Sequence, residues 1–280
     1  MEPIRVAAVQ MLSKPGAVEA NAGRLIWLMD RAKAQGVHLL CFPEACLTGY
    51  RAFSPALIAL SPNDPVIAHV EHEAARRHLA ICYGYIEQGP GLTYLTQVVT
   101  DGEQRLVYRK THLGHVENAF TAGDELPVAE IAGVVVGVQL CWESHIPDIS
   151  AVLRAQGAEL LLVPYASPKS GENRRCSWNR YLPARATDNG AYVLACNALA
   201  RNDEGRLQGG GLAAYGPGGA VLNEYYRTDE HMLVCDLDGI LPRDLPQNDM
   251  RAISYFDRRR PQLYAAALGA GEQAEDPPVS

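Results

Sequence analysis

Residues 133–140, GVVVGVQL, form an apolar, valine-rich run that stops at Cys141 and gives way to WESHIPD. A strand without a polar face has to be covered on both sides, as strands of parallel sheets are. Pro147 and Asp148 then open a helical stretch through Ile149, Val152 and Leu153, which Gly157 terminates. The order strand, thiol, turn, helix places a cysteine at the carboxyl end of a buried strand. A nucleophile at such a turn points outward beside free backbone amides, the logic of the nucleophile elbow in serine hydrolases. Free cysteine more often serves as a small buried hydrophobe, so this residue alone does not establish catalysis.

The remaining pattern predicts strands over 4–10, 38–42, 79–85, 94–100, 104–109, 191–196 and 232–237. Helices are predicted over 17–34, 65–77 and 173–187, the first with Leu25, Leu28, Met29 and Ala32 on one face. Asp101-Gly102 is a strong hairpin signal, and Ala132-Gly133 and 216–219 sit between later strand-like runs in the same way. Hairpins mixed with helical crossovers imply mixed sheets. No linker divides the 280 residues, and 48% hydrophobic content suffices for one core. We expect one domain over 1–270 and an acidic, proline-containing tail over 271–280.

Two further charges stand at strand ends. HLLCFPEACLTGY carries Glu44 just after an apolar strand, and LVYRKTHLGHVENAFTAGD delivers Lys110 at the end of another, with Glu117 on the following loop. Ligands collect at the carboxyl edge of α/β sheets, although a lone strand-end charge is usually a solvated group or a cap.

Together these strings resemble the nitrilase superfamily of carbon-nitrogen hydrolases, whose Glu-Lys-Cys triad lies in blocks of the types FPE, RKxHL and Cys-aromatic-acid-xxx-Pro-acid. The likeness runs from IRVAAVQ through GAELLLVPYASP and PARATDNGAYVLACN to FDRRRPQLY. Asp148 stands where Glu is more usual, and GGGLAAYGPGG is a looser version of the family's late strand-turn-strand block. The resemblance implies an α/β fold, a four-layer αββα sandwich of two mixed sheets. It makes Glu44 the general base, Lys110 the charged stabiliser, Cys141 the nucleophile and Glu117 the second glutamate of such sites. The chemistry needs these types: a thiol with a pKa of about 8.5 must be activated, a desolvated carboxylate can take its proton, and an ammonium with the Trp142 amide can hold the developing oxyanion. No cofactor or metal is required. Tyr50, Trp142, Glu143 and Tyr165 are candidates for the pocket wall.

The expected reaction is hydrolysis of a non-peptide carbon-nitrogen bond in a small amide or N-carbamoyl compound through a cysteine-linked thioester, with ammonia released. A small nitrile is the alternative substrate, and a non-catalytic interaction or regulatory protein on the same scaffold the alternative class; the intact Glu44, Lys110 and Cys141 favour the enzyme. His112, His115 and His145 with Cys141 resemble zinc ligands in type, but His112 is better read as a buried packing or hydrogen-bonding residue and His145 as a support for the turn.

A net charge of -7 is poor material for nucleic-acid binding. No run approaches the roughly 18 apolar residues of a membrane span, and no leader pattern precedes the first strand, so no membrane partner and a cytoplasmic location are expected. Seven cysteines without a CxxC pair fit reduced thiols. The partners expected are a small-molecule substrate, water and a second copy of the chain. Homodimer contacts are expected from 148–156 and 256–268, where Leu263, Tyr264 and Leu268 need a covering surface.

Overall fold

Successive residues of the first strand, Val6 and Ala8 against Ala7 and Val9, point to opposite faces, and both faces are buried. Such a strand needs a layer on each side. In the computed structural model, which describes residues 1–201, 205–246 and 256–267, the first half of the chain runs β1 (Ile4–Gln10), α1 (Val18–Ala34), β2 (Leu39–Cys41), α2 (Pro65–Arg76), β3 (Ala80–Gln88), β4 (Thr93–Thr100) and β5 (Arg105–Arg109). The second half runs β6 (Val128–Ile131), β7 (Val134–Val138), α3 (Pro147–Ala155), β8 (Leu160–Tyr165), α4 (Gly171–Trp178), α5 (Leu182–Asn189), β9 (Tyr192–Asn197), β10 (Leu199–Arg201), β11 (Leu207–Gly209), β12 (Leu212–Tyr215), β13 (Val221–Tyr225), β14 (His231–Leu237) and α6 (Pro261–Ala267).

Two six-stranded sheets result, ordered β14-β1-β2-β3-β4-β5 and β13-β12-β9-β8-β7-β6. Each has three central parallel strands, β1 to β3 and β7 to β9, with antiparallel strands outside them. The two halves therefore share one strand pattern although the sequence has no repeat of fixed period. Inward residues of both sheets, among them Val6, Leu39, Cys82, Val136, Leu162 and Leu194, form the central core. α1 and α2 cover the outer face of the first sheet, and Ile149, Leu153, Leu182 and Ala186 of α3 and α5 cover the second. This is the αββα sandwich expected from the sequence.

Local chemistry explains the connections. Ala132 and Gly133 join β6 to β7 with φ of 52° and 77°, the paired left-handed residues that match strand twist in a tight hairpin. Asp101 accepts hydrogen bonds at Oδ1 from the amides of Glu103 and Gln104, closing the β4–β5 turn, and at Oδ2 from the Ala132 amide of the other hairpin.

One predicted helix divides. Residues 173–187 lie in α4 and α5, separated at 179–181, because Pro183 in the first turn of α5 lacks an amide and its ring would clash with the carbonyl four residues back. The apolar run 133–140 keeps ladder pairing only over Val134–Val138, and its last two residues lead extended into the turn. The tail 271–280 and Leu268 lie outside the described residues.

Gly84 of β3 lies beneath the turn that carries Glu44. A Cβ there would collide with the Gln97 side chain and stand 2.7 Å from the Ala45 amide nitrogen. Gly84→Ala is expected to destabilise the protein by about 1–3 kcal/mol through overpacking and to lower activity further by displacing the turn. Thermal unfolding measured alongside turnover checks both, and a variant with wild-type stability and activity would refute the packing argument.

Candidate active site

Glu44, Lys110 and Cys141 each follow the carboxyl end of a strand, β2, β5 and β7 respectively. After β2 the Phe42 amide still bonds to Cys82 O at 2.8 Å and the Leu47 amide to Gly84 O at 2.9 Å, so the intervening loop is anchored at both ends on β3. Ala45 adopts φ 51° between these anchors. Lys110 is fixed by its amide to Leu95 O at 2.9 Å and by its carbonyl, which accepts from the Gly123 amide at 2.8 Å.

The Lys110 ammonium lies between two carboxylates, donating to Glu44 Oε1 at 2.9 Å and to Glu117 Oε1 at 2.8 Å. All three side chains are almost completely buried. Glu44 Oε2 accepts from the Ala166 amide at 3.0 Å, just past the end of β8, so this carboxylate spans the two sheets. Glu117 also accepts from the Tyr50 hydroxyl at 2.9 Å and, through Oε2, from the Gly114 amide at 2.6 Å.

Burial pushes the Glu44 carboxyl up to about 7; the Lys110 ammonium pulls the other way and Glu117 adds to the rise. Burial works against the charge on Lys110, but Glu44, the Cys141 sulfur and Glu117 outweigh it and hold the lysine above its ordinary value. The half-buried Cys141 has its thiol pushed up to about 12 by burial and by Glu44, with Lys110 offsetting only part. The resting pair is therefore a thiol beside a carboxyl group poised near neutrality, and proton transfer has to accompany attack.

Cys141 opens a 3-10 turn over Cys141–His145 with φ 45°, outside the usual range for a side-chain-bearing residue. Conformations of this kind cost about 1–3 kcal/mol and persist where surrounding contacts overdetermine them. Here the fixing group is Glu143. Its Oε1 accepts from Tyr108 Oη at 2.5 Å, the Thr111 amide and hydroxyl at 2.8 Å each and the His112 amide at 3.0 Å, while its Oε2 accepts from the Leu140 amide at 2.7 Å. One carboxylate thus ties the residues after Lys110 to the residue before Cys141. Ser144 completes the support, donating to Cys141 O at 2.7 Å and meeting the Tyr165 hydroxyl at 2.6 Å. Among the described residues the Cys141 and Trp142 amides have no protein acceptor, as expected for the first amides of a helical turn.

These placements correct two expectations. Glu143 is not a pocket-wall residue, because its fully buried carboxylate is consumed by five protein donors. His112 is exposed, so the buried alternative fails, while the hydrogen-bonding one holds: its ring meets Thr111 Oγ1 at 2.8 Å. Trp142 is 45% exposed and packs between His115 and His145 at the rim. Tyr165 is buried against Trp178, and Tyr50 is half-buried with its hydroxyl on Glu117. The support group formed by Tyr108, Thr111 and Ser144 was missed; hydroxyl residues beside the lysine and the cysteine were its only trace in the sequence. A cavity of about 510 Å³ lined by Thr187, Tyr192, Leu222 and Leu241 is remote from this centre. Tyr192 begins β9, whereas Cys141 follows the far end of β7, and β7, β8 and β9 run parallel. Among the described residues no group of three or more His, Cys, Asp and Glu side chains is arranged to hold a metal.

A profile of carbon-nitrogen hydrolases matches residues 5–241. The chain belongs to the carbon-nitrogen hydrolase family. An (R)-stereoselective amidase of a Pseudomonas species is 28% identical, the match covering 98% of this chain and 96% of that protein. A nitrilase of Pyrococcus abyssi is 26% identical over 93% and 99% of the respective chains. Among solved structures, an amidase of the nitrilase superfamily from Nesterenkonia superposes with a TM-score of 0.79 at 26% identity, covering 94% of this chain and 97% of that one. A variant of that amidase, with the same TM-score and identity and 96% of its chain covered, shows covalent addition of the acetamide moiety of fluoroacetamide at the active site cysteine. The present protein is a carbon-nitrogen hydrolase with two mixed six-stranded sheets flanked by helices.

Replacing Glu143 tests its bracing role in the hydrolase. Glu143→Gln presents an amide hydrogen where the carboxylate accepts, leaving at least one buried donor unpaired at a cost of about 1–3 kcal/mol. Denaturant unfolding should show that loss, and turnover should fall more steeply than stability because the Cys141 turn is released. Unchanged turnover would show that the turn holds without it.

Proposed function

We propose that the hydrolase cleaves small non-peptide amides or N-carbamoyl compounds through a thioester on Cys141, releasing ammonia. The observation that carries this reading is the buried Lys110 ammonium held between Glu44 and Glu117 beside the Cys141 thiol. Such a group supplies a base, a fixed positive charge and a nucleophile without a metal or cofactor. The acetamide adduct on the active site cysteine of the Nesterenkonia amidase supports a nucleophilic thiol that meets an amide-bearing molecule.

Attack begins as Glu44 takes the thiol proton and the Cys141 sulfur bonds to the carbonyl carbon. The oxygen gains negative charge, which the Lys110 ammonium and the unpaired Trp142 amide stabilise; one donor of this type contributes about 10²–10³ in rate. Collapse of the tetrahedral species breaks the carbon-nitrogen bond, and protonated Glu44 gives its proton to the departing nitrogen. Glu44 next takes a proton from water, whose oxygen attacks the thioester; collapse breaks the carbon-sulfur bond, Glu44 returns the proton to the Cys141 sulfur, and the acid departs. The named nitrilase relative favours a second reading, attack on a nitrile carbon to give a thioimidate.

Ammonia release from small amides, carbamoyl amines and nitriles separates these substrates. Intact-mass measurement should find a substrate-derived adduct on Cys141 and substrate protection against iodoacetamide, and Cys141→Ala should abolish turnover. Retained turnover in that variant would overturn the nucleophile assignment. Glu44→Gln should impair both acylation and deacylation.

The pH dependence follows from Glu44. Its deprotonated form is the base, and its carboxyl stands near 7, so kcat/KM should fall as pH drops through about 7 and level off above it. A profile flat from pH 5 to 8 would remove Glu44 as the titrating base.

Assembly as a homodimer through α3 and the C-terminal segment belongs to the same proposal. Val152 of α3 and Leu263 and Tyr264 of α6 are 40%, 52% and 42% exposed. The Phe256 ring lies under the Arg154 guanidinium of α3 at 5.9 Å, which seats this segment beside the helix and leaves the three apolar side chains outward. Light scattering should give a dimer for the full chain and a monomer for a truncation ending at Asp257; an unchanged dimer would exclude the tail from the contact.

A further inference from the structure

We propose that Arg174 of α4 is the anchor for a carboxylate on the substrate, so that the hydrolase acts on amides or carbamoyl compounds carrying a negative charge away from the scissile bond. This deepens the amidase and carbamoylase reading above and rests on it.

Arg174 is 2% exposed, yet its Nη2 is buried without a hydrogen-bond partner and its Nε reaches only Lys169 O, at 3.3 Å. No carboxylate pairs with it among the described residues. Glu224 of β13, which adjoins the same group of side chains through Tyr226, directs Oε1 at Arg175 at 2.9 Å, and its buried Oε2 makes no hydrogen bond to Arg174 or to any other described group. A buried cation with unused donors and no counter-ion carries a large desolvation cost; Glu44, Lys110, Glu117 and Glu143 each have two or more partners, and the buried Arg185 donates to Ser144 O.

Its position relates this arginine to the reaction. The guanidinium lies over the rings of Tyr165 and Trp178, 5.2 and 5.1 Å from their centres. Its stem crosses Gly211, where any Cβ would stand 2.8 Å from Arg174 Cγ, so the glycine admits the arginine. Tyr165 reaches the Cys141 turn through Ser144, and the next residue, Ala166, donates to Glu44. The charge is felt at the nucleophile: Arg174 is among the groups that favour ionisation of Cys141. The region is cationic more widely. His145, beside Trp142 at the rim, is kept below the usual histidine range by burial and then by Lys169, Arg185 and Arg174.

The planar guanidinium fits a carboxylate through two parallel hydrogen bonds, and stacking on aromatic rings holds that fork in place. The two rings account for the arginine's orientation but leave its donors unused. A carboxylate at the remote end of the substrate satisfies them, while the amide or carbamoyl carbon lies at Cys141. Binding energy from a non-reacting group then serves to place the reacting one.

The test compares amides bearing a terminal carboxylate one, two or three methylenes from the amide carbon, and N-carbamoylglycine, with neutral amides of equal length. Wild-type enzyme should favour the best anionic compound over its neutral counterpart by about 10–100-fold in kcat/KM, the range of a charge-assisted hydrogen-bonded contact. Arg174→Met should bring that ratio close to one, mainly by raising KM for the anionic compound, and Arg174→Lys should restore part of it. A structural role for Arg174 predicts instead that the variant loses activity on both classes in parallel with the ratio intact, which would overturn the assignment. The wild-type ratio needs no variant to fold: turnover of neutral amides with no preference for any anionic compound overturns the anchor and spares the amidase reading, whereas turnover of nitriles alone overturns both.

Discussion

The Lys110 ammonium, enclosed by the carboxylates of Glu44 and Glu117, is the interaction around which the rest is organised. Removing an ion from water costs several kcal/mol, and only close, well-partnered opposite charges recover it. The three residues come from the ends of β2 and β5 and from the loop that follows β5, so the group forms only when the first sheet is in register. Its charge balance also sets the chemistry. Two carboxylates share one ammonium, and this excess of negative charge, added to burial, keeps both Glu44 and the Cys141 thiol reluctant to ionise. The site thereby avoids a standing thiolate.

The second sheet contributes Cys141, so the two sheets have to be held at a fixed relation for the thiol to meet the buried charges. Glu44 reaches across to the Ala166 amide after β8, and Glu143 beside Cys141 reaches back to Tyr108, Thr111 and His112 around Lys110. These carboxylates cross the boundary in opposite directions. Between them they confine Cys141 at φ 45°, a conformation that its own backbone disfavours. Rigidity here serves placement, since a thiol displaced by a fraction of an ångström loses alignment with the Glu44 carboxyl and the Lys110 ammonium.

Specificity lies on a different part of the frame. The catalytic charges are engaged with one another or with backbone amides, whereas Arg174, stacked on Tyr165 and Trp178, keeps donors unused. The division follows the chain as well: Glu44, Lys110 and Cys141 follow strands, while Arg174 stands on a helix between β8 and β9, where substitutions disturb the sheets least.

Much of this protein was legible in its sequence because strands and their ends are local features. Apolar runs such as 38–42 and 133–140, and turn pairs such as Asp101-Gly102 and Ala132-Gly133, report backbone preferences that act over a few residues, and the strings around Glu44, Lys110 and Cys141 carry the catalytic types at those ends. The split between α4 and α5 was readable in principle from Pro183, although 173–187 reads as one helical stretch. The partners of each polar group were decided only by the tertiary structure. Glu143 looks like a pocket residue beside the nucleophile until Tyr108 and Thr111, some thirty positions earlier, are brought onto its carboxylate. Arg174 looks like one basic residue in a polar helix until folding buries it without a counter-ion. Hydrogen bonding and desolvation depend on what lies within a few ångströms in space, and distance along a chain does not determine that.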